Sequence, residues 1–118
     1  RLPIRYALNY PERLPSACRK MSVADYANLT FEAPDREKFP LLDMAFDAIH
    51  CGGNVPCALN AANEIAVAAF LADRIGFMQM PEVVAEAVAR NRFIASPTYD
   101  DYVATNAEIR KIAEELIK

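Results

Sequence analysis

From Pro56 to Ala72 the chain is apolar almost all round and rich in alanine, with the polar residues Asn60, Asn63 and Glu64 set into its first half. A helix with this pattern has no face to offer water along most of its length, so other elements must surround it. The expected architecture is therefore an assembly of helices around one central rod. Asn60, Asn63, Glu64, Val67 and Leu71 fall at i, i+3, i+4, i+7 and i+11, a single stripe that begins polar and turns oily. A solvated face would stay polar to its end. The polar half is expected to hydrogen-bond to another element, because buried amides and carboxylates without partners are costly.

The flanking segments supply the surrounding helices. Leu42, Ala45, Phe46 and Ile49 keep helical spacing after Pro40, with Asp43, Asp47 and His50 opposite, and Gly52-Gly53 ends the run. That spacing predicts an amphipathic helix burying the Leu42 to Ile49 stripe. The central helix should start at Pro56 and be ended near Gly76, and a third should follow Pro81 and end near Asn91, with Val84, Ala87 and Val88 inward and Glu86 paired to Arg90. Thr105-Asn106-Ala107-Glu108 has the capping-box pattern, predicting a last helix that buries Ile109, Ile112, Ala113 and Leu116; Ser96-Pro97-Thr98 opens a separate short turn through Tyr102.

The N-terminal third reads differently. Pro3 to Asn9 can form a short helix that Pro11 stops, residues 11 to 28 read as an extended connector, and Leu29-Thr30-Phe31 is β-prone but brief. The expected fold is mainly α: a connector arm over residues 1–35 with one short strand, then a four-helix-bundle-like domain over residues 36–118. No internal repeat or low-complexity tract interrupts it.

With 118 residues, 53% hydrophobic and 25% charged, the chain can bury a substantial core, and no apolar run reaches the roughly 18 residues of a membrane span. Residues 1–20 carry a net charge of +4 and the remainder −7. The basic arm is short, broken by prolines and poor in stacking aromatics, which argues against nucleic-acid binding and for contact with an acidic protein surface. Cys18, Cys51 and Cys57 lack metal-ligand spacing even with His50 added, so reduced structural thiols in the cytoplasm are expected. Asp43 with Asp47 and Asp100 with Asp101 lack the converging oxygens of a hard-cation site, and no glycine-rich phosphate loop is present. Catalytic, cofactor-binding and metal-ligating residues are therefore not expected in this stretch.

Arg1-Leu2-Pro3-Ile4, Tyr10-Pro11-Glu12-Arg13, Leu29 to Asp35, Phe39-Pro40, Gly52-Gly53, Leu59 to Glu64 and Ala68 to Leu71 occur in one order and spacing. Together they resemble the C-terminal portion of the 1-deoxy-D-xylulose 5-phosphate reductoisomerase family. The resemblance implies a start within that family's Asp-Met-Arg-x-Pro-Ile run, and a parent with an NADPH-binding Rossmann domain and a central domain holding the Mg or Mn ligands and substrate-phosphate site. It also implies a homodimeric parent of nonmevalonate isoprenoid synthesis, in which this helical part is inactive alone and packs on the catalytic domain of the same chain. Asn60, Asn63 and Glu64, with Tyr6 and Tyr10, are the expected domain-interface residues. The rival expectation is an independent helical module whose Asn/Glu stripe binds a protein partner.

Overall fold

The computed structural model describes residues 2–15, 17, 22–26 and 28–118. They form two compact units, Arg1–Ala33 and Pro34–Lys118. In the first, α1 (Leu2–Asn9) runs into the turn that carries a cis Tyr10–Pro11 bond, and a single 3-10 turn spans Val23–Tyr26. Arg5 folds the connector back by donating to the carbonyls of Leu14 and Pro15. No strand occurs among the described residues, which corrects the expected strand at Leu29–Phe31. Those residues are exposed coil, because a β-prone tripeptide has no ladder to join unless a second strand fills its hydrogen-bonding edge.

The second unit is the four-helix assembly: α2 (Pro40–Cys51), α3 (Val55–Leu71), α4 (Gln79–Ala89) and α5 (Tyr99–Leu116). The central rod α3 packs against α2, α4 and α5, and α4 also lies on α5. Its inner surface is alanine: Ala58, Ala61, Ala62, Ala66 and Ala69 are all buried. A single methyl lets neighbouring helices come close, and the larger Met80, Val83, Val84 and Ile109 fill the remaining space. None of the described helices is long and apolar enough to cross a membrane.

Four sequence expectations need correction. The helix α2 turns Leu41, Met44 and Ala48 toward the core; Phe46 is 47% and Ile49 69% exposed, with Leu42 and Ala45 half-buried beside them. Both stripes are apolar, so spacing alone could not say which one meets α3. At the other end of the domain, the capping box is Thr98 with Asp101, not Thr105 with Glu108, and the expected short turn and last helix are one continuous helix. Both segments carry Thr-x-x-acid, but Pro97 directly precedes Thr98, and the Thr105 hydroxyl has a tertiary partner instead. The Asp101 backbone N–H donates to Thr98 Oγ1 at 3.3 Å while the Thr98 N–H donates to Asp101 Oδ2 at 2.9 Å. Finally, α3 is not ended by Gly76: Asp73, at φ 56°, takes the left-handed position, with Asp73 N–H on the Phe70 carbonyl and Arg74 N–H on that of Ala69. This is a Schellman closure with aspartate where glycine is usual. In α4, Pro81 lies in the first turn, where its missing N–H costs nothing, so that helix starts two residues before it.

Asn54 is the polar centre of the domain and is 1% exposed. Its Nδ2 donates to Thr105 Oγ1 at 3.0 Å, the Arg92 carbonyl at 2.9 Å and Asn91 Oδ1 at 3.2 Å; its Oδ1 accepts from Ile94 N–H at 2.9 Å and Asn91 Nδ2 at 3.3 Å. One side chain thus ties the α2–α3 turn to the α4–α5 connection and to the middle of α5. Gly53 lets the two connections touch: at φ 56°, a Cβ there would lie 2.3 Å from the Ile94 carbonyl oxygen. Replacing Asn54 with Leu strands several buried polar partners at once and should lower stability by about 3 kcal/mol or more. Gly53→Ala forces backbone apart and should cost about 1–3 kcal/mol. Urea unfolding of the two variants checks both, and an unchanged midpoint for either would show that its contact does not hold the bundle.

The cap at Thr98 carries a pH signature. Backbone and then side-chain hydrogen bonds from Thr98 hold the Asp101 carboxyl below its ordinary 3.8. A carboxyl with a lowered folded-state pKa stabilises the fold above its unfolded pKa, and that contribution disappears as pH falls through the folded value. Thermal melts should therefore separate wild type from Asp101→Asn near neutral pH and bring them together as pH falls through the lowered Asp101 value. A gap that stayed constant with pH would sink this account.

Candidate functional site

The polar half of the α3 stripe lies beside the α2 stripe that the core leaves uncovered. Leu42, Ala45 and Ile49 of α2 and Pro56, Leu59, Asn60 and Asn63 of α3 line an open trough of about 510 Å³. No lining residue carries a charge. Another trough of about 470 Å³ is lined by the charged Arg74, Glu82, Glu86 and Lys118 together with apolar side chains such as Ile75 and Leu116.

Along the stripe, Asn60 and Glu64 are exposed and Asn63 is half-buried. Asn60 Nδ2 donates to Glu64 Oε1 at 3.0 Å, across one helical turn. The other carboxylate oxygen of Glu64 accepts from Arg110 of α5, whose Nε donates to Asn106 Oδ1 at 3.1 Å. The Arg110 hydrogen bond, then that of Asn60, then the Arg110 charge hold Glu64 below its ordinary 4.5, so it is ionised at neutral pH. An ionised, already paired carboxylate is a poor general base, and no nucleophile adjoins it. The expected partner element for the stripe is α5 at Glu64 only; Asn63 makes no side-chain hydrogen bond among the described residues. Tyr6 and Tyr10 belong to the first unit, where their rings meet edge to face at 5.6 Å and the Arg13 guanidinium sits 5.1 Å over Tyr6.

The remaining candidates resolve into local roles. Asp43 pairs with Arg36 at 2.7 Å, and Asp101 is the cap already described. Cys51 and Cys57 are free thiols; Cys57 Sγ lies 3.5 Å from the Tyr102 carbonyl, and burial pushes its pKa up. Cys18 lies outside the described residues. Among those described, no three His, Cys, Asp or Glu side chains converge as a metal site would require.

Sequence reasoning missed Asn54, Arg110 and the trough. A polar residue between Gly52-Gly53 and Pro56 is a legible helix-start signal, yet its partners lie 37 to 51 residues away. Arg110 reads as one more outward charge until α5 is laid beside α3.

The chain matches the family described as DXP reductoisomerase C-terminal domain over residues 1–112. It is 51% identical to the 1-deoxy-D-xylulose 5-phosphate reductoisomerase of Bacteroides thetaiotaomicron, covering 99% of this chain and 30% of that one. With the Acetivibrio thermocellus enzyme it shares 43% over 100% of this chain and 31% of the relative. Among solved structures, the Zymomonas mobilis reductoisomerase in complex with NADPH superposes with a TM-score of 0.86 at 37% identity, over 98% of this chain and 31% of that one. A DOX-P reductoisomerase holding NADPH, fosmidomycin and magnesium gives 0.79 at 33%, over 98% and 30%. The chain thus spans less than a third of the length of these relatives. It belongs to the DXP reductoisomerase C-terminal domain family.

Proposed function

We propose that this chain is the C-terminal helical domain of a 1-deoxy-D-xylulose 5-phosphate reductoisomerase and that it braces the catalytic part of that enzyme. The reaction is the isomerisation of the pentulose phosphate and its NADPH-dependent reduction to 2-C-methyl-D-erythritol 4-phosphate, with Mg or Mn, in nonmevalonate isoprenoid synthesis. The observation that carries the bracing role is the uncharged trough between α2 and α3, open to solvent although apolar, with Asn60 and Asn63 on its edge. A helical domain rarely leaves an apolar stripe such as Leu42 to Ile49 bare unless something covers it. Residues 1–35 serve as the connector, with Tyr6 and Tyr10 as contact residues of amphipathic character.

The described residues fit neither NADPH nor a divalent ion: no trio of ligand side chains converges, and Gly52-Gly53 in the α2–α3 turn and Gly76 in the α3–α4 connection do not make a phosphate loop. On this reading the groups that hold both belong to the catalytic part. The intact enzyme is a cytoplasmic homodimer, a reading in keeping with the free thiols of Cys51 and Cys57. An independent interaction module draws no support from a match that runs through the arm as well as the bundle.

A chimera tests the role. The Bacteroides thetaiotaomicron enzyme with its terminal third replaced by this chain should oxidise NADPH, given substrate and Mg, at a rate within about tenfold of its parent, whereas the truncated enzyme should be at background. Ile49→Glu, which places a charge in the trough at an exposed position, should lower chimera activity by about tenfold or more and leave the melting temperature of the isolated 118-residue chain nearly unchanged. A folded but inactive chimera, or an Ile49→Glu chimera with full activity, would overturn the bracing role.

A further inference from the structure

We propose that the α2–α3 trough receives an extended apolar segment of the enzyme's N-terminal part, whose backbone N–H and C=O groups are met by the carboxamides of Asn63 and Asn60. The inference rests on the docking role above and specifies the chemistry of what docks. The absence of charge among the lining residues disfavours phosphate, nucleotide or charged side chains as the occupant, since such groups would lose hydration with no counter-charge. Leu42, Ala45, Ile49 and Leu59 instead favour hydrocarbon, and about 510 Å³ accommodates a few side chains.

The two carboxamides decide between a helix and an extended segment. A docked helix satisfies its backbone internally and would press hydrocarbon against Asn63 and the free Oδ1 of Asn60, leaving those groups without partners. Extended backbone leaves one N–H and one C=O per residue unpaired, and a carboxamide offers the matching acceptor and donor on one side chain. Asn63 is uncommitted among the described residues and half-buried at the trough. Asn60 already donates to Glu64, which Arg110 anchors in turn, so its carboxamide is held in place while its Oδ1 stays available. The Arg110–Glu64–Asn60 chain of contacts thus orients one half of the polar edge, and Asn63 supplies the other.

The test uses the active chimera. Asn63→Leu, which keeps the trough apolar, should reduce activity by about tenfold, and Asn63→Gln, which keeps both donor and acceptor, should retain more activity than Asn63→Leu. Neither should lower the melting temperature of the isolated chain by more than about 2 °C. Hydrogen exchange on the chimera should show one slow-exchanging stretch of the N-terminal part that Asn63→Leu turns fast. If Asn63→Leu leaves or raises activity while Ile49→Glu still abolishes it, a helix or a side-chain plug occupies the trough; the extended-segment proposal then fails and the docking role survives. If both substitutions are silent, the docking role falls too. An equal loss of stability in the isolated chain would mean Asn63 serves the fold, which also overturns the proposal.

Discussion

The alanine seam of α3 is the constraint on which the bundle depends. Ala58, Ala61, Ala62, Ala66 and Ala69 give the rod a nearly smooth inner surface, and α2, α4 and α5 are placed by how closely they can approach it. Their own larger side chains, Val84 and Ile109 above all, fill the space those methyls leave. A bulkier residue anywhere along the seam would push at least one helix outward, because a close-packed interior cannot absorb extra methylenes without strain of about 1–3 kcal/mol.

Close approach of helices also brings their connections together, and there the polar chemistry takes over. The α2–α3 turn and the α4–α5 connection would bury unpaired backbone groups if nothing joined them. Asn54 joins them, and Gly53 allows the contact because a side chain at that position would strike the Ile94 carbonyl. A carboxamide suits this place better than a carboxylate, since it donates and accepts simultaneously among neutral partners. Apolar packing thus sets the distances between helices, and one buried amide fixes their ends in register.

What the core does not use is the polar edge of α3 and the apolar stripe beside it. The rod α3 can be apolar all round only if its far side is covered as well, and the described residues of the second unit cover it incompletely. Arg110 reaches over to Glu64, but the neighbouring stripe of α2 remains open. Neutral carboxamides beside hydrocarbon form a surface suited to specific protein contact, not to metal or nucleotide chemistry. The chain spans less than a third of the length of its relatives.

The sequence by itself determined the helical class, the existence of each of the four bundle helices, the centrality of the segment from Pro56 to Ala72 and the pairing of Glu86 with Arg90, at 2.7 Å in the structure. These follow from local period and from residues three or four apart, which a chain carries wherever it is read. The family was legible too, in the ordered motifs from Arg1 to Leu71. Only the tertiary structure decided which of two apolar stripes α2 buries, since both satisfy the period and the choice depends on the surface α3 presents. It also decided between two Thr-x-x-acid starts for α5, because the hydroxyl of Thr105 is claimed by Asn54 from 51 residues away. The same holds for Arg110 at Glu64 and for the missing strand at Leu29–Phe31: a partner distant in sequence, or absent from it, leaves no periodic trace.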